Sequence, residues 1–335
     1  MNPRSGKASF IVTRQPWSLF ALMVCALLWS AESAADEGGA SFWLPGQFGS
    51  LAAVPVAPGW SLGAVYYHSS IGADGSKDFE IGGRIVAGLA ARADLVFLVP
   101  THTFATPVLG GQAALSLTGI VGHVHASVSG TLTGPRGGMI SGSTADSVTG
   151  GGDLFPQGTL KWNDGNSNYL VYAMAGIPTG AYRSDRLANI GLNHWSIDAG
   201  GGYTYLDQKS GREFSAVIGA TYNFENPDTN YQSGIDGHLD WGASQFLSDE
   251  VHVGLVGYFY QQLTGDTGSG AKLGAFKSRV SAIGPQIGST IPLPSAFGGA
   301  KGYLNLKGYW EFDAQNRPDG WNVWLTLSVP LGGGK

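Results

Sequence analysis

The sequence predicts an all-β protein: an antiparallel transmembrane β-barrel of about 12 strands, with 14 as the alternative count. Three observations predict it. Long segments alternate apolar and polar residues with a period of two. Only 13% of the 335 residues are charged while glycine numbers 53, a balance unlike that of an ordinary soluble enzyme. The chain also opens with the three-part layout of an export signal.

That opening comes first. Arg4, Lys7 and Arg14 give a positive start, residues 17–29 (WSLFALMVCALLW) are apolar and uncharged, and Ser33, Ala34 and Ala35 supply small residues at cleavage spacing. Thirteen apolar residues fall short of the roughly 20 that span a bilayer as a helix. Residues 1–35 are therefore expected to be a cleaved signal peptide. Cys25 is the single cysteine and follows Val24, which is not the small residue that lipid attachment would need. Past residue 35 no cysteine remains, so an exported chain of this length must be stable without disulfides. A closed, fully hydrogen-bonded barrel meets that requirement.

Residues 36–58 form a second region. The stretch 39–58 (GASFWLPGQFGSLAAVPVAP) is apolar, contains three prolines and does not alternate. Lipid cannot satisfy such an irregular backbone. Two placements remain open: a periplasmic segment, or a plug that enters the lumen through Phe42, Trp43, Leu44, Pro45 and Phe48.

Residues 59–335 are the expected barrel. Trp195, Ile197, Ala199, Tyr203 and Tyr205 fall on one face of a strand, and Ser196, Asp198 and Thr204 on the other. Phe214, Ala216, Ile218 and Tyr222 continue the pattern, as do Val251, Val253, Leu255 and Phe259, and finally Trp321, Val323, Leu325 and Leu327. These segments run about 10 to 14 residues, against about 5 or 6 in globular strands and about 9 to 11 for a tilted bilayer-crossing strand. Aromatics gather near segment ends, among them Trp60, Tyr169, Trp195, Tyr222, Trp310 and Trp321, as in interfacial girdles. Connections at 130–152, 179–193, 226–236, 265–277 and 313–320 read as long outer loops, and those at 163–167, 207–212 and 248–250 as short inner turns. The regions 78–99 and 110–129 give 12 strands if each is one strand, and 14 if both are split.

Charges are costly in lipid, so charged side chains should turn inward. Asp240, His252, Arg279, Lys307, Tyr309 and Glu311, with Tyr258, Tyr260 and Gln262, are the expected lumen or substrate-path residues. The same residues also read as a bracing network between strands. No Lys/Arg cluster follows the signal region, so nucleic acid is not an expected partner. His123 and His125 share a face without a third ligand, and turn chemistry accounts for Glu225, Asn226, Asp228 and Asp236; no metal or cofactor is expected. Residues 59–63 (GWSLG) spell G-x-S-x-G, but a proline-rich stretch precedes them and a strand follows, where a nucleophile elbow joins strand to helix. His68 with Ser70, His125 with Ser127, and His194 with Ser196 each share a strand face. Nothing in the sequence orients any of these imidazoles, so no catalytic residue and no enzyme activity are expected.

Several motifs carry a resemblance. They are Gly152-Asp153-Leu154, Ile177-Pro178-Thr179-Gly180, Asn189-Ile190-Gly191-Leu192-Asn193-His194-Trp195, Thr221-Tyr222-Asn223-Phe224-Glu225-Asn226, and above all residues 257–266 (GYFYQQLTGD) followed by Gly284-Pro285. In this order they resemble the family called "protein involved in the meta-pathway of phenol degradation", also labelled transporter-like. The resemblance implies kinship with outer-membrane channels for fatty acids and toluene-type hydrocarbons, and passive uptake of small hydrophobic, aromatic compounds by a monomer. It implies outer-membrane lipid, the solute and the barrel-assembly machinery as partners. A structural or adhesive barrel is the alternative, and a lipid-modifying enzyme a more distant one. The chain departs from the usual barrel ending: Pro330-Leu331 is followed by Gly332-Gly333-Gly334-Lys335, with no terminal aromatic.

Overall fold

The computed structural model describes residues 41–73, 78–81, 84–133, 139–272, 274–275, 277–294 and 299–331. The expected signal peptide, and residues 36–40 of the segment after it, lie outside the described residues. The strands are β1 Gly59–Gly72, β2 Asp78–Ile81, β3 Arg84–Ala87, β4 Leu89–Thr103, β5 Gln112–Thr133, β6 Met139–Asp164, β7 Ser167–Gly176, β8 Ser196–Asp207, β9 Arg212–Asn223, β10 Asp236–Phe246, β11 Val251–Gln262, β12 Arg279–Pro292, β13 Lys301–Gln315 and β14 Asp319–Pro330. Twelve of them close into one antiparallel barrel, with β14 returning to β1 and β1 pairing directly with β4. β2 and β3 make a separate two-stranded hairpin. Closure pairs every barrel strand with a neighbour on each side, so the ladder satisfies the wall's backbone groups without water.

Two expected loops are mostly strand. β5 and β6 stay paired to Thr133 and Met139, so most of residues 130–152 forms a two-stranded ribbon. Its Ser-, Thr- and Gly-rich composition reads as loop because neither face of the ribbon is apolar. The connection expected over 313–320 shrinks to residues 316–318 between β13 and β14. Asn316 enters the tight reversal with a φ of 57°, and Asp313, with a φ of 55°, sits within β13 at its register shift against β12.

The tilt of the strands can be followed along one row of paired residues. From Trp162 on β6 the row passes through Tyr169, Tyr203, Ala216, Trp241, Gly257, Ile283, Trp310, Trp321, Ser70, Arg92 and His125 and returns to β6 at Ser147. It comes back fifteen residues nearer the loop end, from Trp162 to Ser147, which is the stagger a tilted, closed sheet requires. The row is aromatic near the short-turn end, apolar in mid-wall, aromatic again at Trp310 and Trp321, and polar beyond. Trp310 is 72% exposed and Ile218, Leu255, Ile283 and Leu306 also face outward. The outer wall is thus an apolar band between two aromatic belts.

Inward faces are the reverse. On β8, Ser196, Asp198 and Thr204 are buried while Trp195 and Ile197 are exposed. On β11, His252, Tyr258, Tyr260 and Gln262 are buried while Leu255 is exposed. A period of two over a closed wall turns the polar residues into the interior and fixes what occupies it.

Candidate functional site

The interior is occupied by the chain itself. Residues 41–58 run inside the barrel without forming a strand, and side chains of the wall satisfy their backbone. The Asp240 carboxyl accepts from the amides of Gly46 (2.9 Å) and Phe48 (3.0 Å). Lys307 Nζ donates to the carbonyls of Gly46 (2.5 Å), Gln47 (3.2 Å) and Phe48 (3.2 Å), and Tyr309 OH to that of Gly46 (3.1 Å). Further toward the short-turn end, Glu213 accepts from the Leu51 amide, Thr204 from Ala53 and Gln112 from Val56, while Lys161 donates to the Val54 carbonyl. An irregular segment in a barrel needs such partners, because an unmade buried backbone bond costs as much as a lost one.

Trp43 and Gly46 fix the course of the segment. Trp43 is fully buried and stacks on His238, ring centroids 3.6 Å apart. His238 Nε2 lies 2.9 Å from Asp198 Oδ2, and the same carboxyl accepts from Tyr172 OH (2.7 Å) and Thr221 Oγ1 (2.5 Å). Gly46 makes the reversal between Asp240 and Lys307. Its φ is +89°, and a Cβ there would stand 2.9 Å from the Tyr309 ring and 3.0 Å from that of Tyr258, so only glycine fits.

Between this segment and the loop end lies a cavity of about 260 Å³. Phe42, Leu44 and Pro45 line it from the plug, Leu95, Ile120 and Val124 from the wall, and Leu187, Ile190 and Leu192 from the loop 177–195. That loop is tied down by Arg186, which donates to Asp146 through Nε (3.0 Å) and Nη2 (2.8 Å), and by Asp153, which accepts from the amides of Gly180 (2.7 Å) and Leu192 (2.8 Å). The Asp146 contact holds the Arg186 guanidinium above its ordinary pKa. Polar groups line the cavity as well, Asp153, Asn189 and His194 among them. Tyr258 OH donates to Glu311 Oε1 (2.7 Å), Asn322 Nδ2 donates to Tyr258 OH (2.9 Å), and Arg317 lines it too.

The residues expected on the path separate into groups. Tyr258 and Glu311 line the cavity. Asp240, Lys307 and Tyr309 hold the plug backbone. His252 lies elsewhere, 3.2 Å from Ser244 Oγ and 2.9 Å from Tyr303 OH. Tyr260 packs under the Arg317 guanidinium at 5.1 Å. Gln262 donates to Asp266 (2.5 Å) and accepts from the Ser278 amide (3.0 Å), fastening the outer loop 263–278. Arg279 does not line the cavity: it pairs with the half-exposed Asp313 at 2.8 Å, and alternation with the buried Val280 and Ala282 puts it on the other face. Sequence reasoning missed Asp153, Glu213, Lys161 and the loop 177–195, which find their partners only when distant strands close.

One outward cluster was legible only through His68. His68 Nδ1 lies 2.8 Å from Asp94 Oδ1, and Tyr66 OH donates to the same oxygen at 2.6 Å. Asp94 is the register partner of His68 across β1 and β4. The orienting group absent from the sequence around His68 is supplied by the neighbouring strand. No group of three or more His, Cys, Asp or Glu side chains suited to a metal occurs among the described residues.

The comparisons with known proteins agree with this architecture. An outer membrane channel from Pseudomonas putida F1 superposes with a TM-score of 0.62 at 16% identity, over 82% of this chain and 96% of that one. A Pseudomonas aeruginosa FadL homologue aligns over 81% of this chain and 90% of its own at 8% identity, but its TM-score of 0.40 is too low to bear on the fold. No curated protein sequence matches. Residues 74–327, nearly the whole barrel, match the family described as "Putative MetA-pathway of phenol degradation", and the chain belongs to that family.

Proposed function

We propose that this protein is an outer-membrane channel for passive uptake of small hydrophobic, aromatic compounds, exported by a signal peptide at residues 1–35 and working as a monomer. One observation carries the reading: an apolar cavity at the loop end of a closed barrel whose outer wall is itself apolar. A solute of benzene-ring size fits a pocket lined chiefly by aliphatic and aromatic side chains with polar groups among them. Tyr258 and Glu311 meet the solute, and the segment 41–58 is the gate below it. The barrel has no energy-coupling element among the described residues, and the lumen holds solute without reacting with it. The family description and the resemblance to hydrocarbon channels support the aromatic class.

The test is uptake of a labelled aromatic hydrocarbon beside a polar control, in cells lacking the gene and in complemented cells. Slower entry of the hydrocarbon alone in the deleted strain is the expected result. Equal rates for both compounds in both strains would overturn the reading.

A further inference from the structure

We propose that the cavity selects uncharged arenes that carry a hydrogen-bond donor, a hydroxyl or an amino group, and that Glu311 is the residue that selects them. The proposal rests on the transport reading and narrows its solute class. It starts from a row of paired residues across three strands. Tyr258 on β11 is the register partner of Ala282 on β12, and Ala282 is that of Glu311 on β13. All three are buried, and the small Ala282 lets the Tyr258 hydroxyl reach across β12 to Glu311 Oε1 at 2.7 Å. Asn322 on β14 extends the chain of bonds. Its Nδ2 donates to Tyr258 OH (2.9 Å), and its Oδ1 accepts from Trp324 Nε1 (3.0 Å).

The direction of this chain is fixed. An indole N–H can only donate, so the Asn322 oxygen faces Trp324 and its NH2 faces Tyr258. The tyrosine oxygen accepts that bond and commits its own proton to Glu311. Three donors thus run one way and end on the carboxyl. Glu311 lines the cavity and is 8% exposed, and its Oε2 accepts from no group among the described residues. A buried acceptor left without a donor carries a desolvation cost that a bond from a ligand removes. Phe42, Leu95 and Ile120 line the same cavity and receive the ring, while its donor goes to Oε2. A methyl in place of the hydroxyl fills the same volume but leaves Oε2 without a donor, and a site of that kind discriminates more sharply than apolar shape alone. A carboxylate on the ring would meet Glu311 with like charge. Arg317 also lines the cavity, but its guanidinium is placed over the Tyr260 ring at 5.1 Å.

The experiment titrates the purified full chain in detergent micelles by calorimetry, with empty micelles subtracted. The probes are p-cresol, p-toluidine, p-xylene, 4-methylanisole and p-toluate. p-Xylene keeps the shape of p-cresol without a donor, 4-methylanisole keeps the oxygen without its proton, and p-toluate adds the charge. p-Cresol and p-toluidine should each bind about tenfold or more tightly than p-xylene or 4-methylanisole, and p-toluate should bind weakest. Glu311→Gln keeps an oxygen for Tyr258 and puts an NH2 in place of Oε2. It should lose the preference for p-cresol and bind 4-methylanisole more tightly than wild type does, which a merely loosened cavity would not do. Heat-modifiable mobility on gels shows that the variant folds, and if it does not, the wild-type series decides alone. Equal affinity of wild type for p-cresol, p-toluidine and p-xylene, or tightest binding of p-toluate, overturns the proposal and leaves transport of hydrophobic arenes standing. An unchanged preference for p-cresol in folded Glu311→Gln overturns it too. No binding of any probe overturns both the proposal and the transport reading beneath it.

Discussion

Replacing Lys307 by methionine should release the middle of the luminal segment while leaving the barrel closed. Lys307 is 5% exposed, and its ammonium bonds to three consecutive carbonyls, those of Gly46, Gln47 and Phe48. The facing Asp240 is 1% exposed and holds the amides of Gly46 and Phe48. Methionine keeps the length and apolar stem of lysine but removes all three donors and the cation opposite Asp240. Removing one partner from such a buried arrangement costs about 3–5 kcal/mol. At about 1.4 kcal/mol per tenfold, local opening should become more frequent by roughly two to three and a half orders of magnitude. Hydrogen–deuterium exchange of peptides covering residues 43–50 reads this opening directly. Protection there should collapse by about a hundredfold or more, while β10, β11 and β13 keep theirs. Protection within about threefold of wild type would refute the view that Lys307 holds the plug.

Trp43→Ala removes a fully buried ring stacked on His238 and should weaken plug docking by about 3–5 kcal/mol; proteoliposomes carrying it should swell faster in a polar sugar, and an unchanged rate would count against the plug as a gate. Asp146→Ala frees Arg186, so trypsin should cut the loop 177–195 faster at Arg183 and Arg186 while the melting temperature of the barrel stays put. Leu255→Arg places a charge in the middle of the outer wall, where Leu255 is 50% exposed, and should destabilise the inserted barrel by about 2–4 kcal/mol in a urea unfolding titration from lipid bilayers; a neutral outcome would place that wall outside the membrane.

The wall was legible in the sequence because a two-residue period has one reading. Trp195, Ile197 and Tyr205 face out, and Asp198 and Thr204 face in, by alternation alone. Parity and loop length narrowed the count to 12 or 14, with 12 favoured, and twelve strands close the barrel. The ribbon of β5 and β6 was less legible, since its Ser/Thr/Gly composition carries no apolar face to reveal the period. Proline content and broken alternation marked residues 39–58 as unfit for the wall, but which side chains meet that segment depends on strand stagger. Asp240, Glu213 and Lys161 converge on it from strands far apart in sequence. Pairing at a distance also hid Asp94, which lies 2.8 Å from His68 although 26 residues separate them. Arg279 was misplaced because charge alone was used where alternation with Val280 and Ala282 decides the face.

The measurement that bears most directly on the account is aromatic uptake by cells carrying Ala93→Trp. Ala93 lines the cavity and makes none of the hydrogen bonds that hold the segment 41–58, so the indole narrows the chamber without removing a bond to the segment below. If the cavity is the route, labelled hydrocarbon should enter these cells no faster than cells without the gene, with the variant present in the outer membrane at wild-type level. Uptake as fast as in wild-type cells would contradict the account, because the solute would then be crossing somewhere other than the chamber above the plug.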